Sequence, residues 1–267
     1  MLLEVEALRI AFPDLIAVDG VTFTLDQGET LALVGESGSG KSLTALALTR
    51  LLPAGAQLSG EIRYRGEAVT AMDARRLRQL RGRQIAYVFQ EPTAALNPLF
   101  TVGEQIAEAL RYHFPGLTRT QVRERVVAAL ERVGIPALRY HSYPHQLSGG
   151  MNQRAVIAMA LACEPRLLVA DEPTTALDVT LQAEILALLR QLQAQTGLAL
   201  LLITHNLALV RGLARQVAVM RHGCILEQGA SDRVLDAPQH PYTRALLACV
   251  PRLGQRRPRL PILEEDI

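Results

Sequence analysis

The chain has 267 residues, a formal net charge of +2, 49% apolar and 20% charged residues. That balance excludes collagen-like, low-complexity and wholly disordered classes, and the length allows a core that needs no disulfide or metal staples. The longest apolar run, nine residues at 155–163, is too short for a bilayer span of about 20. The first ten residues mix acids with apolars and lack a basic start, so no secretory signal is expected. Three scattered cysteines, Cys163, Cys224 and Cys249, form neither a disulfide framework nor a metal spacing and fit a reducing cytoplasm. Of 28 basic residues only Lys41 is a lysine, and an ammonium is not interchangeable with a guanidinium.

Residues 2–10 and 20–26 read as strands, the second with Val21, Phe23 and Leu25 on one face. After the Gln27-Gly28 turn, 31–34 is a short buried strand. A Gly/Ser-rich loop follows, then a helix from near Lys41 that stops before Pro53. Strands are expected at 60–66 and 85–89, with a short basic helix at 73–81 between them. Residues 92–165 read as helical: Thr118 and Gln121 form a capping box, and Val122, Val126, Leu130 and Val133 keep helical spacing until Gly134. Strands return at 167–170, 198–203, 216–220 and 224–229. A helix from about Asp178 separates the first two, striped by Leu181, Ile185, Leu188, Leu189 and Leu192. Strands alternating with helices imply an α/β fold with a largely parallel, covered sheet, and the helical block within it is expected to be a subdomain.

Residues 35–42 read GESGSGKS, a full G-x-x-x-x-G-K-S between an apolar strand and a helix, the context that marks a phosphate loop. Gly35, Gly38 and Gly40 let backbone amides turn inward beside Glu36, Ser37 and Ser39. Lys41 reaches the β- and γ-phosphates, and the Ser42 hydroxyl can ligate Mg²⁺. Residues 167–172, LLVADE, end an apolar strand in two carboxylates. Asp171 is placed to hold Mg²⁺ through water and Glu172 to polarise the attacking water. His205 and Gln90 also follow apolar strands, at the ends where open parallel sheets bind ligands. Ser148, Gly149 and Gly150 open the helix MNQRAVIAMALA and form a second anion-ready helix start. Its distance from the first points to a ligand shared between two copies. The arginines at 75, 76, 78, 81 and 83 read as a solvated helix face, and no nucleic-acid partner is expected.

In order and spacing, GESGSGKS, Gln90, LSGGM, LLVADEP, TALD at 175–178 and His205 resemble the ATPase subunits of ABC transporters. The resemblance implies a RecA-like P-loop ATPase core with an antiparallel β-subdomain and an inserted α-helical subdomain. The core would span 1–91 and 156–236, the helical subdomain 92–155, and a C-terminal extension 237–267. It further implies that Phe12 stacks on adenine, Gln90 touches Mg²⁺ and senses the permease, and His205 contacts the γ-phosphate. Asp178 matches the D-loop, and Ser148 to Gly150 would bind the γ-phosphate of ATP held by the opposite subunit. The cofactors implied are ATP and Mg²⁺, the latter drawing on Ser42, Gln90 and Asp171.

QEPTAALNPLFTVGEQI at 90–106 and HPYTRALLA at 240–248 resemble the ATPases of peptide and nickel importers. Such systems pair two ATPases, related or identical, with two membrane permeases and an extracytoplasmic solute-binding protein, which puts the chain on the cytoplasmic face of the inner membrane. The short tail fits nickel or metallophore systems, whereas 203–214 resembles peptide and microcin uptake members. Longer members of that subfamily carry a cysteine-rich C-terminal segment associated with an iron–sulfur cluster; this chain lacks those cysteines, so no cluster is expected. Asn152 and Asn206 depart from the commoner residues. A soluble accessory ATPase of the carbon–phosphorus lyase kind is the alternative.

Overall fold

The computed structural model describes residues 1–91, 95–175 and 177–249. Residues 92–94, Ala176 and 250–267 lie outside them, and so do parts of the 90–106 and 175–178 motifs and the end of the C-terminal extension. In chain order the strands are β1 (Leu3–Phe12), β2 (Leu15–Leu25), β3 (Thr30–Val34), β4 (Gln57–Tyr64), β5 (Glu67–Ala68), β6 (Ile85–Val88), β7 (Leu167–Asp171), β8 (Ala199–Thr204), β9 (Gln216–Arg221) and β10 (Cys224–Ala230). The helices are α1 (Lys41–Ala47), α2 (Ala74–Leu80), α3 (Val102–His113), α4 (Arg119–Arg132), α5 (Gly149–Leu161), α6 (Val179–Thr196), α7 (Ser231–Asp236) and α8 (Pro241–Ala248). They fall into two compact units, Met1–Ala71 with Leu201–Ile267, and Met72–Leu200.

The first unit holds an antiparallel sheet of order β2-β1-β4-β5. Along β1 the buried residues are Leu3, Val5, Leu8 and Ile10, so the period of two slips by one residue after Val5. A bulge accounts for this: the register shifts between Val5 and Leu8, and Ala7 takes a positive φ of 46°. The extra residue returns Leu8 and Ile10 to the core face.

Strands of a second sheet run here in the order β10-β9-β3-β8. β3 runs parallel to β9, from Leu31 opposite Gln216 to Val34 opposite Val219. All of β3 and β8 is buried, which is why both read as unbroken apolar runs. Ala32, Val34, Val217 and Val219 share a core with Val210, Val234, Leu235, Tyr242 and Leu246, so the C-terminal helices α7 and α8 pack under the strand that leads into the phosphate loop. Each fully buried side chain of this size contributes about 1.5–3 kcal/mol. The turn before α8 is clamped by one carboxylate: Glu227 accepts from the backbone N–H of Gln239 at 2.7 Å and of His240 at 3.1 Å. Pro241 occupies the first turn of α8, and His240 Nδ1 accepts from the Tyr242 N–H.

In the second unit β6 and β7 pair in parallel, Ile85 opposite Leu167 through Val88 opposite Ala170. The helices start where their caps dictate. Thr101 with Glu104 and Thr118 with Gln121 close full capping boxes on α3 and α4, Ser148 caps α5 and Asp178 caps α6. Gly197, at φ 65°, ends α6.

The expected elements are present, with shifted ends. The first helix stops at Ala47, well before Pro53. There the ladder tightens into three-residue turns, from Leu48 N–H to Ala45 and from Arg50 N–H to Ala47, and Arg50 adopts a φ of 54°. In the α6 stripe, Leu186 joins the buried face, while Leu181 lies against Gly150. The arginine face is only partly solvated: Arg83 and Arg125 both stack on the Phe114 ring.

Burial works to raise the Glu227 carboxyl, but Gln239, Thr243 and His240 together outweigh it and hold the group below its ordinary value. A lowered folded-state value stabilises the fold above the unfolded carboxylate value, about 4.3, and the benefit is lost as pH falls through the folded one. Glu227→Gln is therefore expected to lose about 1 kcal/mol at neutral pH. Thermal melts of the two proteins should converge in acid; a gap that persists there would contradict this account.

Candidate nucleotide site

The phosphate loop joins β3 to α1 within the first unit. Lys41 is 5% exposed, and its ammonium is wrapped by its own loop. Nζ donates to the Gly35 carbonyl at 2.8 Å, to the Glu36 carbonyl at 2.6 Å and to Ser39 Oγ at 3.1 Å. Three acceptors match three N–H donors; a planar guanidinium offers no such match. The loop backbone is set by its neighbours. Gly35 and Gly40 have φ of 155° and 98°. A Cβ on Gly35 would enter the Met220 carbonyl oxygen, and one on Gly40 would come within 2.6 Å of the Ala17 carbonyl oxygen. The Gly223 N–H donates to the Ser39 carbonyl at 3.1 Å, and the Asp19 N–H to the Gly223 carbonyl at 2.9 Å. One wall of the loop is thus made by β2 and the β9–β10 turn. On the other side Ser37, Gly38 and Ser42 are exposed and Glu36 is half-buried. Small exposed residues around a buried ammonium fit a polyphosphate.

In the second unit β7 ends at Asp171, and both Asp171 and Glu172 are half-buried. Glu172 has a φ of 48°, a left-handed backbone that costs a non-glycine residue of order 1–3 kcal/mol. Its carboxylate is held on two sides: Oε2 accepts from Gln90 Nε2 at 3.2 Å and from Thr175 Oγ1 at 2.8 Å. The parallel pairing of β6 and β7 brings Gln90 and Glu172 together, since Val88 lies opposite Ala170. Ser148 and Gly149 are exposed at the head of α5 and Gly150 is buried; Ser148 Oγ accepts from the Met151 N–H.

Phe12, residues 35–42 and His205 belong to the first unit; Gln90, Ser148 to Gly150, Asp171 and Glu172 belong to the second. Phe12 is half-buried at the tip of the β1–β2 hairpin, opposite Leu15. His205 is exposed just beyond β8. Asp178 caps α6, its carboxylate accepting from the Leu181 N–H at 3.0 Å.

The sequence alone did not single out several residues that hold these segments. Gln153, 1% exposed on α5, donates to the Pro173 carbonyl at 2.6 Å, next to Glu172. Gln182 donates to the carbonyls of Thr174 and Leu177, and the Tyr242 hydroxyl accepts from the Glu36 N–H at 3.4 Å. Their partners are backbone atoms, near for Gln182 and distant for Gln153 and Tyr242, and a backbone partner leaves no side-chain pattern to read.

A strand, a glycine-built phosphate loop enclosing one ammonium, and a strand ending in Asp-Glu define a P-loop ATPase. A sequence model described as ABC transporter matches residues 18–175, and one described as the oligopeptide/dipeptide transporter C-terminal region matches 226–266. A Brucella ovis protein provisionally named a peptide import ATP-binding protein is 49% identical, covering 95% of this chain and 78% of its own length. A Brucella abortus protein with the same provisional name is 48% identical, covering 100% and 82%. Among solved structures, cbiO1 from Clostridium perfringens, described as part of the ABC transporter complex cbiONQ, superposes with a TM-score of 0.79 at 30% identity, covering 88% of this chain and 91% of that one. The ATP-binding cassette MJ0796, solved as a dimer bound to ADP and phosphate, gives 0.75 at 26% identity, covering 86% and 98%. The chain belongs to the ABC transporter ATP-binding family, in its oligopeptide/dipeptide branch. Its fold is the ABC cassette, and it is an ATP-binding ATPase.

Lys41→Ala is expected to weaken ATP binding about tenfold or more, the worth of charge-assisted hydrogen bonds. Lys41→Arg should fail as well, because the three acceptors around Nζ are spaced for an ammonium. Nucleotide titration of both variants checks this; normal affinity in Lys41→Arg would contradict the packing argument.

Proposed function

We propose that the chain is the ATP-hydrolysing subunit of a peptide importer. What carries the cargo is the C-terminal match over 226–266 together with relatives named for peptide import. By analogy with cbiO1, described as part of a transporter complex, and with the MJ0796 dimer, it works beside a second ATPase, related or identical. Two permeases and, indirectly, an extracytoplasmic binding protein complete the assembly. Among the described residues no helix is long and apolar enough to cross a membrane, which fits a peripheral subunit on the cytoplasmic face of the inner membrane. Phe89, Leu99, Phe100 and Tyr112 are exposed apolar side chains near Gln90 in sequence or beyond it, and they suit a permease contact. The proposed divisions are a core of 1–91 and 156–236, a helical subdomain of 92–155 and an extension of 237–267.

In this reading Phe12 stacks on adenine while Gly35 to Ser42 cradle the phosphates. The donor set of Ser42, Gln90 and Asp171 suits Mg²⁺, which keeps waters and phosphate oxygens among its ligands and asks few protein groups; its role when bound is to neutralise phosphate charge. Glu172 takes the proton of the attacking water. Its carboxylate is held in place by Gln90 and Thr175, so the base is oriented before substrate arrives. His205 attends the γ-phosphate. Ser148, Gly149 and Gly150 complete the site of the partner subunit.

Glu172→Gln keeps an oxygen for Gln90 and Thr175 but cannot take a proton, so hydrolysis should fall by about 10² with MgATP binding retained. Near-normal turnover would remove Glu172 from the chemistry. Ser148→Arg should spare the chain's own ATP affinity yet block hydrolysis in the mixed dimer, after loss of a helix cap worth about 1 kcal/mol. The cargo is tested in vesicles holding the full assembly: ATP-dependent uptake of a labelled short peptide is expected. Nickel uptake instead, or purification with no membrane protein attached, would replace this reading.

A further inference from the structure

Tyr242 is fully buried in α8, with its ring in the core beneath β3 and the Arg221 guanidinium 4.8 Å from the ring centre. A ring in that place needs no hydroxyl. The hydroxyl is nevertheless aimed at the first turn of the phosphate loop, where it accepts from the Glu36 N–H at 3.4 Å. The Glu36 carbonyl, across the same residue, accepts from the Lys41 ammonium at 2.6 Å, closer than Gly35 or Ser39. One residue therefore joins the C-terminal helix to the lysine through its own backbone. The segment bearing Tyr242 is itself fixed: Glu227 holds the N–H groups of Gln239 and His240, and His240 caps the helix on the Tyr242 N–H. Met220 and Arg221, adjacent on β9, close the arrangement, the first against Gly35 and the second against the Tyr242 ring.

We infer that Tyr242 is a positioning residue of the ATP site, its hydroxyl orienting Glu36 and through it Lys41. The C-terminal segment that marks the oligopeptide branch is then a working part of nucleotide binding. Burial raises the phenol above its ordinary value, so it stays neutral and keeps this geometry across physiological pH. The inference rests on residues 35–42 being the phosphate site.

Tyr242→Phe fills the same volume and removes only the hydroxyl. In the full-length protein its dissociation constant for MgATP, read by titration, should rise about threefold to tenfold, the worth of one hydrogen bond. The melting temperature should stay close to that of the parent, and turnover at saturating ATP should change less than KM. Glu227→Gln, which loosens the same segment, should weaken binding in the same direction, and the double variant should fall short of the product of the two effects. Lys41→Ala runs alongside as the control. Parental affinity in Tyr242→Phe beside lost affinity in Lys41→Ala would overturn the inference alone. Parental affinity in Lys41→Ala would overturn the phosphate-loop reading and the inference with it. A lowered melting temperature with unchanged affinity would reduce Tyr242 to a core residue and overturn the inference.

Discussion

The ATP site depends on backbone packing so close that no side chain can intervene. Gly35 lies against the Met220 carbonyl and Gly40 against the Ala17 carbonyl, and these contacts, with the Gly223 N–H on Ser39, give the loop its curvature. A loop so held has spent its conformational entropy on folding rather than on binding. Lys41 inherits that order: two carbonyls and a hydroxyl of a fixed loop solvate its buried ammonium. Burying an ammonium is tolerable only with such complete satisfaction.

The second unit solves a related problem differently. Glu172 leaves β7 through a strained left-handed turn and is then pinned by Gln90, just beyond the adjacent strand, and by Thr175. Around it the segment is held by Gln153 on Pro173 and by Gln182 on Thr174 and Leu177. Three glutamine amides thus secure one short stretch. An amide suits this work because it donates to a carbonyl without adding charge beside a carboxylate.

Features built from neighbours in sequence were legible in the chain. The phosphate loop is a local pattern of small residues, the caps at Thr118 and Asp178 act over three residues, and β3 and β8 show as apolar runs because both faces are covered. The end of α1 was not legible. No breaker precedes Pro53, and the helix stops where Leu51 N–H bonds back to the Leu46 carbonyl and Arg50 turns left-handed. The bulge at Ala7 escaped for a similar reason, since a slipped register needs the partner strand to reveal it. Tyr242 was visible as part of a family motif, but its contact lies 206 residues away on a backbone N–H, which has no side-chain signature.

The first unit is assembled from the two ends of the chain, and that arrangement bears on how the protein is made. β3 has its parallel neighbour β9 about 185 residues further on, by the separation of Leu31 and Gln216. Met220, Gly223 and Tyr242 come later still. Residues 72–200 can settle while synthesis continues, because their unit is continuous in sequence. The phosphate loop, among the first segments to emerge, must wait with its strand edge unpaired until nearly all the chain has followed. Closing so long a span adds little to the equilibrium cost, which grows only as the logarithm of length, but it delays the native contacts. A nascent chain ending before β9 carries the whole phosphate-loop motif and the β2 wall beside Gly40, but not Met220, Gly223 or Tyr242.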